Sequence, residues 1–180
     1  NVLDRFGYKR IYNEALMQVV DERTAALQSG RSNATDFTIK GAVEFARALR
    51  ERGVTLYLAS GTDHADVVAE SDALGYASLF NGGIYGAAGD ITDCSKKKVI
   101  DRIMSEHNLR GPELAVFGDG PVELRESRKR DGLAIGVASD EVRRHGLNLH
   151  KRSRLVKAGA HLIIPDFSQQ NDLITLLFNR

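Results

Sequence analysis

The stretch Leu114-Ala115-Val116-Phe117-Gly118-Asp119-Gly120-Pro121-Val122-Glu123 sets the reading of this 180-residue chain. Leu114–Phe117 is a short apolar run of the kind buried as a strand. Gly118-Asp119-Gly120 then places a carboxylate between two residues that tolerate unusual backbone angles. Glu123 falls in the first turn of a helix expected over Val122–Asp131. Two carboxylates at one strand-to-helix turn suit a hard cation such as Mg²⁺, which prefers oxygen ligands and keeps several waters. The turn taken alone is equally compatible with Asp119 capping the helix.

Outward from this turn, short apolar runs alternate with helical patterns. Strands are expected at Val54–Ala59, Leu114–Phe117, Leu133–Val137 and His161–Ile164, with a very short one at Ser78–Phe80. Gly82–Asp93 is glycine-rich and reads as a loop or hairpin. Helical spacing marks residues 9–29, Gly41–Arg52, Ala65–Leu74, Ser95–Asn108, Asn148–Ala158 and Asp172–Phe178. This alternation predicts an α/β fold with a parallel sheet. Ligands in such sheets bind beyond the carboxyl ends of the strands, which points to Ser60, Asp119, Ala138-Ser139 and Pro165-Asp166.

Composition narrows the function classes. Hydrophobic residues make up 42% of the chain, enough for a core, and the net charge is only +1. Neither a basic excess for nucleic acid nor a charge block for a membrane surface is present. No apolar run approaches the ~20 residues of a membrane span. Cys94 is the only cysteine, so no internal disulfide can form, and Asn1-Val2-Leu3-Asp4 has no signal-peptide pattern. A cytoplasmic location is the expectation. The missing initial Met makes a processed or partial chain the expectation.

Two further groups carry chemistry. Ser60 with Gly61 ends an apolar run, where a hydroxyl beside free N–H groups can hold phosphate oxygens or cap the next helix. Lys96-Lys97-Lys98 opens a helix, an end where lysine opposes the dipole. A lysine there can neutralise a transferring phosphoryl group, or the run is a solvated face. The remaining polar residues have plainer readings. Arg125, Arg128, Lys129 and Arg130 fit a solvated helix face, Asp140 a site edge or a cap, and Tyr57 and Phe117 the core.

In this order, the motifs resemble those of the haloacid dehalogenase superfamily of phosphohydrolases. Leu58-Ala59-Ser60-Gly61 is similar to its second motif, whose hydroxyl holds the substrate phosphate. Lys96, with Lys97 as the alternative, resembles its third-motif lysine. Val116–Glu123 resembles the acidic fourth motif, in which Asp119 and Glu123 would bind Mg²⁺. The resemblance implies a Rossmann-like three-layer sheet with helices on both faces over residues 39–180. It implies that residues 1–38 are the remnant of a helical cap, as in phosphoglycolate phosphatase-like members.

The family's first motif, Asp-x-Asp after an apolar strand, has no match before residue 39. The resemblance therefore implies an Mg²⁺-dependent phosphatase for a small phosphorylated metabolite, working through an aspartyl-phosphate whose aspartate lies outside these residues. The alternative is an inactive fragment that binds a phosphorylated ligand or a partner chain. A receiver-like phosphoacceptor fits worse, because its acidic cluster would come early. A core without its first strand would leave sheet edges exposed, so a homodimer or marginal stability is expected.

Overall fold

The computed structural model describes residues 4–87 and 96–179. The strands pair in parallel as expected, and among the described residues they form two sheets. Strand β1 (Tyr57–Asp63) pairs with β2 (Gly83–Ala87), and β3 (Ala115–Gly118), β4 (Leu133–Val137) and β5 (Leu162–Ile164) pair in that order. Helices connect them: α1 (Arg5–Gln28), α2 (Ala42–Glu51), α3 (His64–Ala73), α4 (Lys96–Glu106), α5 (Pro121–Arg128), α6 (Leu149–Lys157) and α7 (Gln170–Phe178).

The period-two geometry of β4 explains why helices cover both faces. Leu133, Ile135 and Val137 point into one core with Phe45 and Leu49 of α2 and Leu173 of α7. Ala134 and Ala138 point into the other, against Leu124 of α5 and Leu155 of α6. Gly136 faces Leu155 at the distance where an added Cβ would sit 3.1 Å from its side chain. The β4 residues Leu133–Val137 are all buried, as a central parallel strand requires. The rings of Phe45, Phe117 and Phe167 close the first core, with centroids 5.2–5.8 Å apart.

Several expectations change. Ser78–Phe80 is not a strand; Ala77–Leu79 makes a 3₁₀ turn. The second strand instead lies inside the glycine-rich segment, at Gly83–Ala87. Glycine there serves close packing: a Cβ on Gly86 would lie 2.4 Å from the His64 backbone. The first strand begins and ends later than Val54–Ala59, so Ser60 and Gly61 fall within β1, in the irregular stretch between Ala59 and Asp63. Residues 9–29 are helical as expected, within α1, and its Ile11 and Val19 are exposed. Cys94, Ser95 and the rest of the expected loop through Asp93 lie outside the described residues.

Of the four basic residues expected on a solvated face, Arg125, Arg128 and Lys129 are exposed, whereas Arg130, just past the end of α5, is not. Arg130 is only 15% exposed and donates to Asp101 of α4 (2.8 Å) and to Glu126 (2.8 Å). Lys129 joins Glu126 at 2.7 Å, and Arg128 lies against His161. Hydrogen bonds from Lys129 and Arg130 hold the Glu126 carboxyl below its ordinary range, and those from Lys97 and Arg130 do the same for Asp101.

Removing Arg130 takes from the buried Glu126 carboxylate one of its two cationic partners, leaving only Lys129. Arg130→Ala is expected to cost about 2 kcal/mol in urea unfolding at neutral pH. A depressed folded pKa means that stability is present above the unfolded carboxylate value and is lost as pH falls through the folded one. Wild-type stability therefore falls below about pH 4.5, and Glu126→Gln has a shallower acid limb in the same assay.

Candidate active site

The site begins at the carboxyl end of β3. Gly120 is the N-cap of α5, so Asp119 does not cap the helix. Glu123 takes that role from the third helical position: its Oε1 accepts the Gly120 N–H at 3.0 Å. The same Oε1 accepts from Lys96 Nζ at 2.9 Å. The Glu123 side chain is 8% exposed and that of Lys96 28%, so this ion pair is largely removed from water.

The flanking glycines serve this carboxylate and not an unusual backbone angle. Neither Gly118 nor Gly120 is among the glycines of positive φ. A Cβ on Gly118 would sit 2.5 Å from Glu123 Cγ, and one on Gly120 would sit 2.8 Å from Oε2. Glu123 can fold over the turn only because both positions lack side chains.

Asp119 is turned outward, its side chain 58% exposed. Its Oδ2 faces Lys151 Nζ of α6 at 3.4 Å, and that amine also meets Glu141 Oε1 at 2.5 Å. Burial opposes the Lys151 charge, but Glu141 and Asp119 hold its pKa above the ordinary lysine value. Sequence reasoning missed Lys151 and Glu141. The signal was available, because Lys151 lies in the first turn of α6, where a lysine opposes the dipole as Lys96 does.

The lysine alternatives separate in space. Lys96 reaches Glu123, whereas Lys97 forms an exposed i,i+4 pair with Asp101 at 3.0 Å. Ser60 Oγ accepts the Thr62 N–H at 3.1 Å, a local turn that leaves Gly61 exposed. No hydrogen bond joins Ser60 to Lys96, Asp119 or Glu123 among the described residues, although Ala59 lines the same cleft as Lys96 and Glu123. Asp140 accepts from the Val142 and Arg143 N–H groups and so caps its own turn. Asp166 does likewise for Ser168 N at 2.8 Å.

Of the two carboxylates, Asp119 is exposed and paired with Lys151, whereas Glu123 Oε1 is already taken by Lys96 and the Gly120 N–H, which leaves Oε2 as the Glu123 oxygen free of these bonds. Among the described residues no cluster of three or more metal-ligating side chains occurs.

A model of the haloacid dehalogenase-like hydrolase family matches residues 8–126, two thirds of the chain, and the protein belongs to that family. The fold is similar to a protein described as a predicted phosphatase from Clostridium acetobutylicum (TM-score 0.62, 20% identity, 75% of this chain and 59% of that one). It is also similar to a protein described as a beta-phosphoglucomutase from Thermotoga maritima (TM-score 0.61, 18% identity, 76% and 60%). A third is a haloacid dehalogenase-like hydrolase from Streptococcus pneumoniae (TM-score 0.58, 15% identity, 76% and 58%). At these identities the likeness is one of fold. The chain spans about three fifths of the length of the solved structures it matches. No curated protein matches it.

Gly118→Ala and Gly120→Ala are expected to push Glu123 off the turn and cost about 1–3 kcal/mol in thermal unfolding. Gly61→Ala, where an added Cβ meets nothing within 4 Å, is the control and should change stability little.

Proposed function

We propose that this chain is the larger part of an Mg²⁺-dependent phosphatase core acting on a small phosphorylated metabolite. The observation that carries this reading is the Lys96–Glu123 pair at 2.9 Å, beside the outward carboxylate of Asp119. It brings a lysine ammonium onto a carboxylate of the acidic turn, and Ala59, next to Ser60, lines the same cleft as that pair. Asp119 and Glu123 are the carboxylates for Mg²⁺, which would offset the negative charge of the phosphoryl oxygens. Lys96 turns its ammonium toward a phosphoryl oxygen while Glu123 keeps it in place. Ser60 and the Gly61 N–H hold another oxygen of the same group.

The nucleophile in this reading is an aspartate outside these 180 residues, since no Asp-x-Asp follows an apolar strand before residue 39. It attacks phosphorus and forms an aspartyl-phosphate as the alcohol leaves, and water then releases phosphate. Residues 1–38 are read as the remnant of the cap, with 39–180 the core. This assignment rests on the α1 helix leading through a 3₁₀ turn at Ala34–Asp36 into the alternating pattern. No described helix is long and apolar enough to cross a membrane.

The test is phosphate release from p-nitrophenyl phosphate by the full-length protein. Activity should require Mg²⁺, and Asp119→Asn or Lys96→Met should lower kcat/KM by about 10²-fold or more. Turnover that survives chelation, or that is unchanged in Asp119→Asn, contradicts the assignment.

A further inference from the structure

Lys151 is shared between two carboxylates that come from different loops. Its Nζ lies 3.4 Å from Asp119 Oδ2, just after β3, and 2.5 Å from Glu141 Oε1, which follows β4. Both acidic side chains are open to solvent, at 58% and 61% exposure, but the lysine between them is only 17% exposed. An exposed ion pair contributes little, because water screens it and two mobile side chains must be held. Here the cationic partner is largely covered and its backbone is fixed. The Lys151 N–H donates to the Asn148 cap of α6 at 3.0 Å. The amine stands in the first turn of that helix, where the dipole opposes it, so its place there depends on the two carboxylates.

The two contacts are unequal. Glu141 is the nearer partner, and its loop is tied on both sides. Ser139 Oγ donates to Glu141 Oε1 at 3.2 Å, and Ser139 is itself buried and bridged to Leu147. Beyond Glu141, the Arg144 N–H donates to the Asp140 carbonyl at 2.8 Å, and the Arg144 guanidinium donates to the Thr35 carbonyl at 2.7 Å. The contact with Asp119 is the longer one. It can be given up while the contact with Glu141 is kept.

We propose that Lys151 is the resident counter-ion of Asp119, and that Glu141 receives it when a divalent cation takes the Asp119 carboxylate. The inference rests on the reading of Asp119 as a carboxylate for Mg²⁺. An ammonium and a divalent ion on one carboxylate repel each other, and more strongly where the ammonium is shielded from water. Lys151 keeps its proton throughout; only its partner changes. Glu141 therefore touches no metal and still sets how readily the cation binds. Lys96 differs, because its carboxylate, Glu123, engages the amine and the Gly120 N–H through Oε1 and has Oε2 apart from these bonds.

Isothermal titration calorimetry of the full-length protein with Mg²⁺ tests this through a two-residue cycle. Lys151→Met should tighten Mg²⁺ binding about threefold or more, and Glu141→Gln should weaken it by a similar factor. In the Lys151→Met background, Glu141→Gln should then have no effect, because no amine is left to receive. A Glu141 that acted through space, or bound the metal itself, would weaken Mg²⁺ binding equally in both backgrounds, and that result overturns the proposal. So does unchanged affinity in Lys151→Met and Lys151→Gln, both shown folded by circular dichroism. Asp119→Asn separates the two levels. If it binds Mg²⁺ as wild type does, the metal reading and the role of Lys151 fall together. If it loses binding while the Lys151 variants bind as wild type does, only the role of Lys151 falls.

Discussion

The contact between Lys96 and Glu123 is the constraint on which the site's arrangement depends. It fastens the start of α4, which follows the first sheet, to the start of α5, which follows β3, the first strand of the second sheet. Because the Glu123 carboxylate is nearly buried, removing Lys96 would leave a desolvated charge, not a relaxed surface residue. The pair therefore fixes the relative height of two helix ends that the strands alone leave free. Gly118 and Gly120 are its precondition, since either Cβ would overlap Glu123.

Behind this contact stands a core organised by β4. Its odd-numbered residues pack toward α2 and α7 and its even-numbered ones toward α5 and α6. The three-stranded sheet is thereby clamped on both faces, and the loops at its carboxyl end carry Asp119 and Glu141, which meet Lys151 in the first turn of α6. Arg130, just past the end of α5, adds a second tie, to Asp101 midway along α4, while also holding Glu126 of α5. The two helices are thus joined at two places, of which the Lys96–Glu123 pair is the one largely removed from water.

Much of this was legible in sequence because buried parallel strands leave a plain signature. Leu133–Val137 reads as a strand and is one, and the acidic turn after Phe117 stands where the apolar run predicts. The errors have physical causes. Strand β2 hides in Gly83–Ala87 because its glycines are required by Tyr85 and His64 packing, so composition resembles a loop. Lys151 escaped notice because its partners, Asp119 and Glu141, come from two different loops, a proximity that periodicity does not encode.

The reading of Asp119 and Glu123 as carboxylates for Mg²⁺ is tested most directly by a ¹⁵N amide titration of the chain with Mg²⁺. Shifts confined to Gly118–Glu123 and to the neighbourhoods of Lys96 and Lys151, absent in Asp119→Asn, are the predicted result. Shifts spread over other acidic surfaces, or unchanged in Asp119→Asn, would contradict it.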